Sequence, residues 1–132
     1  MAAERALSDE ARAVLGEVGL ADRAGVLAGH LAHGEQRSLE VGVALATRPK
    51  LLLLDEPMAG MGPEESERMI ALIDGLKARI AVLLVEHDMD AVFRLADRIS
   101  VLVSGRVIAT GQPDEIRANA EVNRAYLGEE AV

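Results

Sequence analysis

An α/β fold built on a parallel sheet flanked by helices is what this sequence predicts, and three observations predict it. The run Leu51-Leu52-Leu53-Leu54 passes directly into Asp55-Glu56-Pro57. A second apolar run, Ile80 to Val85, passes into Glu86-His87-Asp88. Between them Met69, Leu72, Ile73 and Leu76 recur at helical spacing behind Pro63-Glu64-Glu65. Short unbroken apolar runs bounded by turn signals read as strands buried on both faces of a parallel sheet. Strand, helix and strand then make a βαβ unit, whose crossover is right-handed almost without exception. Such sheets place their chemistry beyond the carboxyl ends of the strands, so Glu56 and His87 are expected on one edge. Asp55 and Glu56 are adjacent carboxylates that repel, and holding both ionised calls for a cation; a divalent metal bearing phosphates meets that need.

Taken in order, Leu7, Ala11, Val14, Leu15 and Val18 follow a helical period, with Ser8-Asp9-Glu10 near the start, which predicts a helix over about residues 8 to 18. Gly19 is expected to end it, and Gly25, Gly29 and Gly34 interrupt any period up to Arg37. Ser38 to Thr47 reads as a largely buried helix stopped by Arg48-Pro49. After the first strand, Met58-Ala59-Gly60-Met61-Gly62 is a loop, and Pro63 opens the next helix with Glu64 and Glu65 at the positive end of its dipole. Asp90 to Asp97 reads as a short helix and Ile99 to Val103 as a third strand. Ser104-Gly105 is a two-residue turn into a returning strand, Arg106 to Thr110. Gly111-Gln112-Pro113 opens a small helix, and Val122, Tyr126 and Leu127 suggest a last one.

Composition narrows the function classes. The 132 residues suit one core, half of them are hydrophobic, and the only aromatic residues are Phe93 and Tyr126, so the core is aliphatic and no base-stacking platform exists. A formal charge of −8 without a Lys/Arg cluster disfavours direct binding to nucleic acid or to an anionic membrane. The absence of cysteine removes disulfides and thiolate metal sites. The longest apolar run falls far short of the ~18 residues that span a bilayer, and the N-terminus lacks the apolar core of a secretion signal, so a cytoplasmic protein is expected.

Three features resemble the ATPase subunits of ABC transporters: an apolar strand ending in Asp55-Glu56 (Walker B), a later strand followed by His87, and an upstream signature segment, Leu31-Ala32-His33-Gly34-Glu35-Gln36-Arg37. Their order and spacing, with Pro57 after the glutamate, make the resemblance specific, and it covers nearly the whole chain. Met58-Ala59-Gly60-Met61 and the tail Ala125-Tyr126-Leu127-Gly128-Glu129 resemble the branch serving importers of branched-chain amino acids or related polar solutes. The resemblance implies a P-loop NTPase-like sheet and Mg-ATP as cofactor. Asp55 would hold Mg²⁺ through water, Glu56 would polarise the attacking water, and His87 would contact the γ-phosphate. Leu31, Ala32, His33, Gly34, Glu35 and Gln36 would face ATP held by a second ATPase subunit, with Gly60 and Met61 in the D-loop, so hydrolysis would require a dimer docked on transmembrane permease subunits at the inner face of the membrane. Ala32 departs from the family's Leu-Ser-Gly-Gly-Gln by removing a hydroxyl, a contact with phosphate worth about 1 to 3 kcal/mol. His30 and His33 at i, i+3 could suggest a metal site with Glu35, but Gly34 interrupts the helix and a structural zinc is not expected.

The sequence contains no Gly-x-x-x-x-Gly-Lys-[Ser/Thr] loop, and neither of its two lysines, Lys50 and Lys77, follows a glycine. The chain therefore resembles the second half of an ABC ATPase: residues 1–47 as the end of the helical subdomain with the signature, 48–110 as Walker B, His loop and sheet, 111–132 as C-terminal helices. The expected sheet is incomplete, lacking the P-loop strand that in the family lies between the His87 strand and the Ile99 to Val103 strand. Its loss would leave apolar edges that invite oligomerisation, closure by a shifted third strand, or poor stability. Two other readings carry different expectations: a non-catalytic interaction module of the same fold, and a small metal-dependent hydrolase using Asp55, Glu56, His87 and Asp88.

Overall fold

The computed structural model describes residues 1–127 and divides into two compact units, Met1–His87 and Asp88–Val132. In the first unit, α1 (Ala2–Glu17) and α2 (His33–Ala46) precede β1 (Leu51–Asp55), α3 (Pro63–Lys77) and β2 (Ala81–Val85). Helix α1 begins well before residue 8, because Ala2, Ala3, Glu4 and Ala6 extend it with good helix formers. Gly19 ends it as expected: at φ +77 it turns the chain so that its own N–H and that of Leu20 close on the carbonyls of Gly16 and Leu15. Helix α2 begins five residues earlier than Ser38, and its N-cap Ala32 offers no side-chain acceptor.

Strands β1 and β2 are parallel, in register Leu51↔Ala81, Leu53↔Leu83 and Asp55↔Val85. Burial corrects the expectation of strands covered on both faces. Leu52 and Leu54 are buried, whereas Leu51, Leu53, Leu83 and Val85 are 54, 65, 57 and 53 % exposed. Because side chains alternate along a strand, these four lie on one bare face of the ladder, with Asp55 at its carboxyl end. The other face belongs to the interior, where Val41 and Leu45 of α2 and Met69, Ile70, Ile73 and Leu76 of α3 are buried. Two cross-links between distant segments complete the unit, Arg79 to Glu17 at 2.6 Å and Arg48 to Glu10 at 3.3 Å.

The second unit is built on the antiparallel hairpin β3 (Ile99–Val103) and β4 (Arg106–Gly111) with α4 (Met89–Leu95), α5 (Pro113–Ala118) and α6 (Ala120–Val122). Ser104 at φ +49 and Gly105 at φ +76 form the two-residue turn whose twist matches the strands. A bulge between Val101 and Leu102 extends β4 by one residue relative to β3. Ile99, Val101, Ile116 and Val122 form its core, with Phe93 and Val92 packed against it. The Arg117 guanidinium stacks 4.4 Å from the Phe93 ring centre, and the Tyr126 hydroxyl donates to the Leu102 carbonyl. Gly128 and Glu129 lie outside the described residues. Among the described residues the strands form two two-stranded sheets, β1–β2 and β3–β4, so the expected closure by a third strand shifted onto β2 is not seen there.

Candidate active site

The site grows from the carboxyl end of β1. Asp55 is the last strand residue, and Glu56 leaves the strand at φ +45, a left-handed conformation uncommon for a residue with a Cβ. The peptide is held there by its own N–H, which donates to the Val85 carbonyl of β2 at 2.7 Å. The Glu56 side chain is therefore aimed by this twist rather than by the alternation of the strand. Its Oε1 lies 3.0 Å from His87 Nδ1, uniting the two residues expected to share an edge. An ionised carboxylate accepts, so Nδ1 carries the proton and Nε2 is the remaining ring nitrogen. Both side chains are largely solvated, so the contact orients the groups more than it stabilises the fold.

Glu86, one residue before, has a role the sequence did not disclose. Its Oε1 accepts from the Met58 N–H and its Oε2 from the His87 N–H, each at 3.1 Å. The loop after β1 is thereby tied to the end of β2. Short bonds from Ala59 N–H to Glu56 O and from Met61 N–H to Met58 O, both 3.1 Å, tighten it further. At the far end Glu65 accepts from the Gly62 N–H, the carboxylate half of a capping box.

The signature segment folds onto this same loop. Leu31 is buried, and Gln36 Nε2 donates to the Ala28 and Leu31 carbonyls. Gly34 is buried against Glu65: a Cβ there would stand 2.6 Å from the carboxylate. His33 Nε2 lies 3.0 Å from the Ala59 carbonyl oxygen, beside Gly60. Met61 adjoins it as the loop turns toward α3. The His30, His33 and Glu35 cluster does not assemble, since His33 is spent on Ala59 and Glu35 on Ala32 and Arg23. Among the described residues no three His, Asp or Glu side chains converge to hold a metal, and Asp88 serves as the N-cap of α4 by accepting from the Ala91 N–H.

Glu35 is a titratable group with a clear perturbation. The Ala32 N–H at 3.0 Å, and then the Arg23 guanidinium at 2.8 Å, hold its carboxyl below the usual glutamate range. A depressed folded value means that the carboxylate's contribution is complete above the pH where an unfolded glutamate titrates. It is lost as pH falls through the folded value. We expect the start of α2 to loosen only below that acidic point. Amide exchange at Ala32, followed through an NMR titration of the Glu35 carboxyl, checks this; a carboxyl titrating at or above the ordinary range refutes it.

The carboxylate and histidine meet at the ends of two parallel strands, and the chain is similar over nearly its whole length to ATP-binding proteins of ABC transporters. The family described as "ABC transporter" matches residues 2–59, and that described as "Branched-chain amino acid ATP-binding cassette transporter" matches residues 106–132. The chain is 44 % identical over 128 residues to the high-affinity branched-chain amino acid transport ATP-binding protein BraF of Pseudomonas aeruginosa, covering 96 % of this chain and 50 % of BraF. It is 43 % identical over 123 residues to LivG of Escherichia coli, a protein of the same description, covering 92 % of this chain and 48 % of LivG. The chain thus spans about half the length of the curated relatives it matches. An ATP-binding cassette of an ABC transporter solved in its ADP conformation superposes with a TM-score of 0.81 at 31 % identity, covering 92 % of this chain and 50 % of that one. A component of the cbiONQ ABC transporter complex of Clostridium perfringens gives 0.79 at 29 %, covering 92 % and 49 %. Among the described residues no helix is long and apolar enough to cross a membrane.

Proposed function

We propose that this chain supplies the signature, Walker B and histidine portion of the ATP-hydrolysing subunit of an ABC importer, for branched-chain amino acids or similar polar solutes. The observation that carries the reading is the Glu56–His87 pair, set at the carboxyl ends of two parallel strands with Asp55 immediately before it. Residues 1–47 would be the end of the helical subdomain, 48–110 the Walker B, His loop and sheet region, and 111–132 the C-terminal helices. The solute class rests on the names of BraF and LivG. Partners would be a second ATPase subunit, facing Leu31 to Gln36 with Gly60 and Met61, and transmembrane permease subunits at the inner face of the membrane.

The donor set suits magnesium held by phosphate. A hard cation takes oxygen ligands and keeps several waters, and Asp55, at the carboxyl end of β1, would offer one carboxylate to such an ion. When bound, Mg-ATP supplies the electrophilic phosphorus and neutralises charge on the phosphates. The chain's own share is orientation and proton handling. Glu56 would accept a proton from the attacking water, and His87, whose Nδ1 donates to Glu56, would hold that carboxylate and the water in line. Glu35 already occupies the Ala32 N–H, so the signature's anion contacts fall to the remaining donors of the α2 first turn.

No segment of the sequence can cradle the triphosphate, so the half site depends on a P-loop-bearing segment. Calorimetry with Mg·ATP is expected to show no micromolar binding by the 132-residue chain, and phosphate release is expected only after mixing with a P-loop-bearing segment from a relative such as BraF. Turnover by the chain alone, or its absence after a stable mixture forms, overturns the reading.

A further inference from the structure

We propose that His33 is a positioning residue: from the signature side of the same chain it locks the loop between β1 and α3, and through that loop the Glu56 carboxylate. The proposal deepens the ATPase reading and rests on it for its purpose, but not for its test.

His33 opens α2, and its Nε2 reaches across 26 residues of sequence to the Ala59 carbonyl at 3.0 Å. A carbonyl only accepts, so Nε2 must carry a proton, which fixes how the ring is used. Gly60 follows at φ +74, and a Cβ there would stand 3.3 Å from the same nitrogen. The glycine therefore meets two demands at once, the left-handed turn and room for the imidazole.

Ala59 joins the two contacts. Its N–H donates to the Glu56 carbonyl, and its own carbonyl receives His33, so the residue is pinned on both sides. Glu86 pins the preceding Met58 N–H from β2. The loop is thus clamped by one side chain from the start of α2 and another from the end of β2, with the left-handed Glu56 between strand and clamp. A displacement of the signature segment has a hydrogen-bonded route, through Ala59, to the main-chain carbonyl of Glu56, the residue whose side chain meets His87. Glycine at position 33 would lack that donor, and an aromatic ring without nitrogen would fill the space without holding the carbonyl.

The 132-residue chain is the sample, and the readouts need neither nucleotide nor turnover. His33→Phe removes the donor and keeps a ring; His33→Gln keeps an N–H at a similar reach. For His33→Phe we expect amide exchange at Ala59 and Met61 to quicken about three- to tenfold, the range that the loss of one ordinary hydrogen bond produces. His33→Gln is expected to restore it. The ¹⁵N spectrum of His87 reports Glu56 separately: the Nδ1–H form held by Glu56 is expected to decline in His33→Phe and to return in His33→Gln. Unchanged exchange in His33→Phe, failure of His33→Gln to restore it, or a His87 spectrum that does not respond overturns the proposal. Absence of ATP turnover in the completed protein would instead overturn the ATPase reading and leave these results standing.

Discussion

Glu56→Gln, in the chain assembled with a P-loop-bearing segment, is expected to lower Mg·ATP turnover by about 10²- to 10⁴-fold, the usual contribution of a positioned proton acceptor. The substitution separates chemistry from structure. Glutamine has the same length, its amide oxygen can still accept from His87 Nδ1, and position 56 demands φ +45 of either residue equally. What disappears is the charge that would take a proton from water. Nucleotide affinity should stay within about threefold, because an interaction made chiefly in the transition state changes kcat and not ground-state binding. Steady-state phosphate release beside nucleotide titration checks both halves. A variant retaining turnover within tenfold would remove Glu56 from the proton-accepting role. The left-handed backbone strengthens the expectation, since strain of this kind persists where the surroundings over-determine it, here through the 2.7 Å bond to Val85 and the Glu86 clamp on Met58.

What could be read in the sequence was local. The strand starting at Leu51, the helix starting at Pro63 and the Ser104-Gly105 turn each carry their signal within a few neighbouring residues. The meeting of Glu56 with His87 followed from topology, because parallel strands joined by a right-handed crossover bring their carboxyl ends to one edge. Glu86, Glu65 and His33 were not legible in their roles. Each bonds a backbone group of the post-strand loop, two of them from 26 or 28 residues away, and no spacing rule encodes a side chain reaching a distant peptide. The earlier start of α2 has the same origin: Gly34 argues against a helix by propensity, yet its lack of a Cβ is what lets Glu65 approach. The two-sided burial expected of Leu51 to Leu54 failed for another reason. Hydropathy reports what a strand can bury, while exposure depends on what is there to cover it.

Leu53→Asp together with Leu83→Asp is expected to weaken assembly with the P-loop-bearing segment by at least about 100-fold. The two leucines are cross-strand partners in the middle of the bare β1–β2 face, flanked by Leu51 and Val85. Covering a wholly exposed leucine or valine stabilises by about 1.5–3 kcal/mol, and these four are a little over half exposed, so covering the face contributes about 4–6 kcal/mol. Two aspartates forfeit roughly half of that and add buried charges without partners, which raises the loss well beyond the roughly 2.7 kcal/mol that a 100-fold change requires. The same substitutions should act in the opposite direction on the chain by itself. An apolar ladder with unpaired edges favours self-association, so the double variant is expected to scatter less light at high concentration than the parent chain. This opposition of sign separates a docking face from a general loss of folding, which would weaken assembly and increase aggregation together. Asp55 lies on the same face at its carboxyl end, paired in register with Val85, so a segment that covers the leucines also approaches the carboxylate next to Glu56. Titrating the P-loop-bearing segment against parent and double variant, with light scattering on each chain alone, measures both signs; equal affinity for the two would show that this face is not where the site is completed.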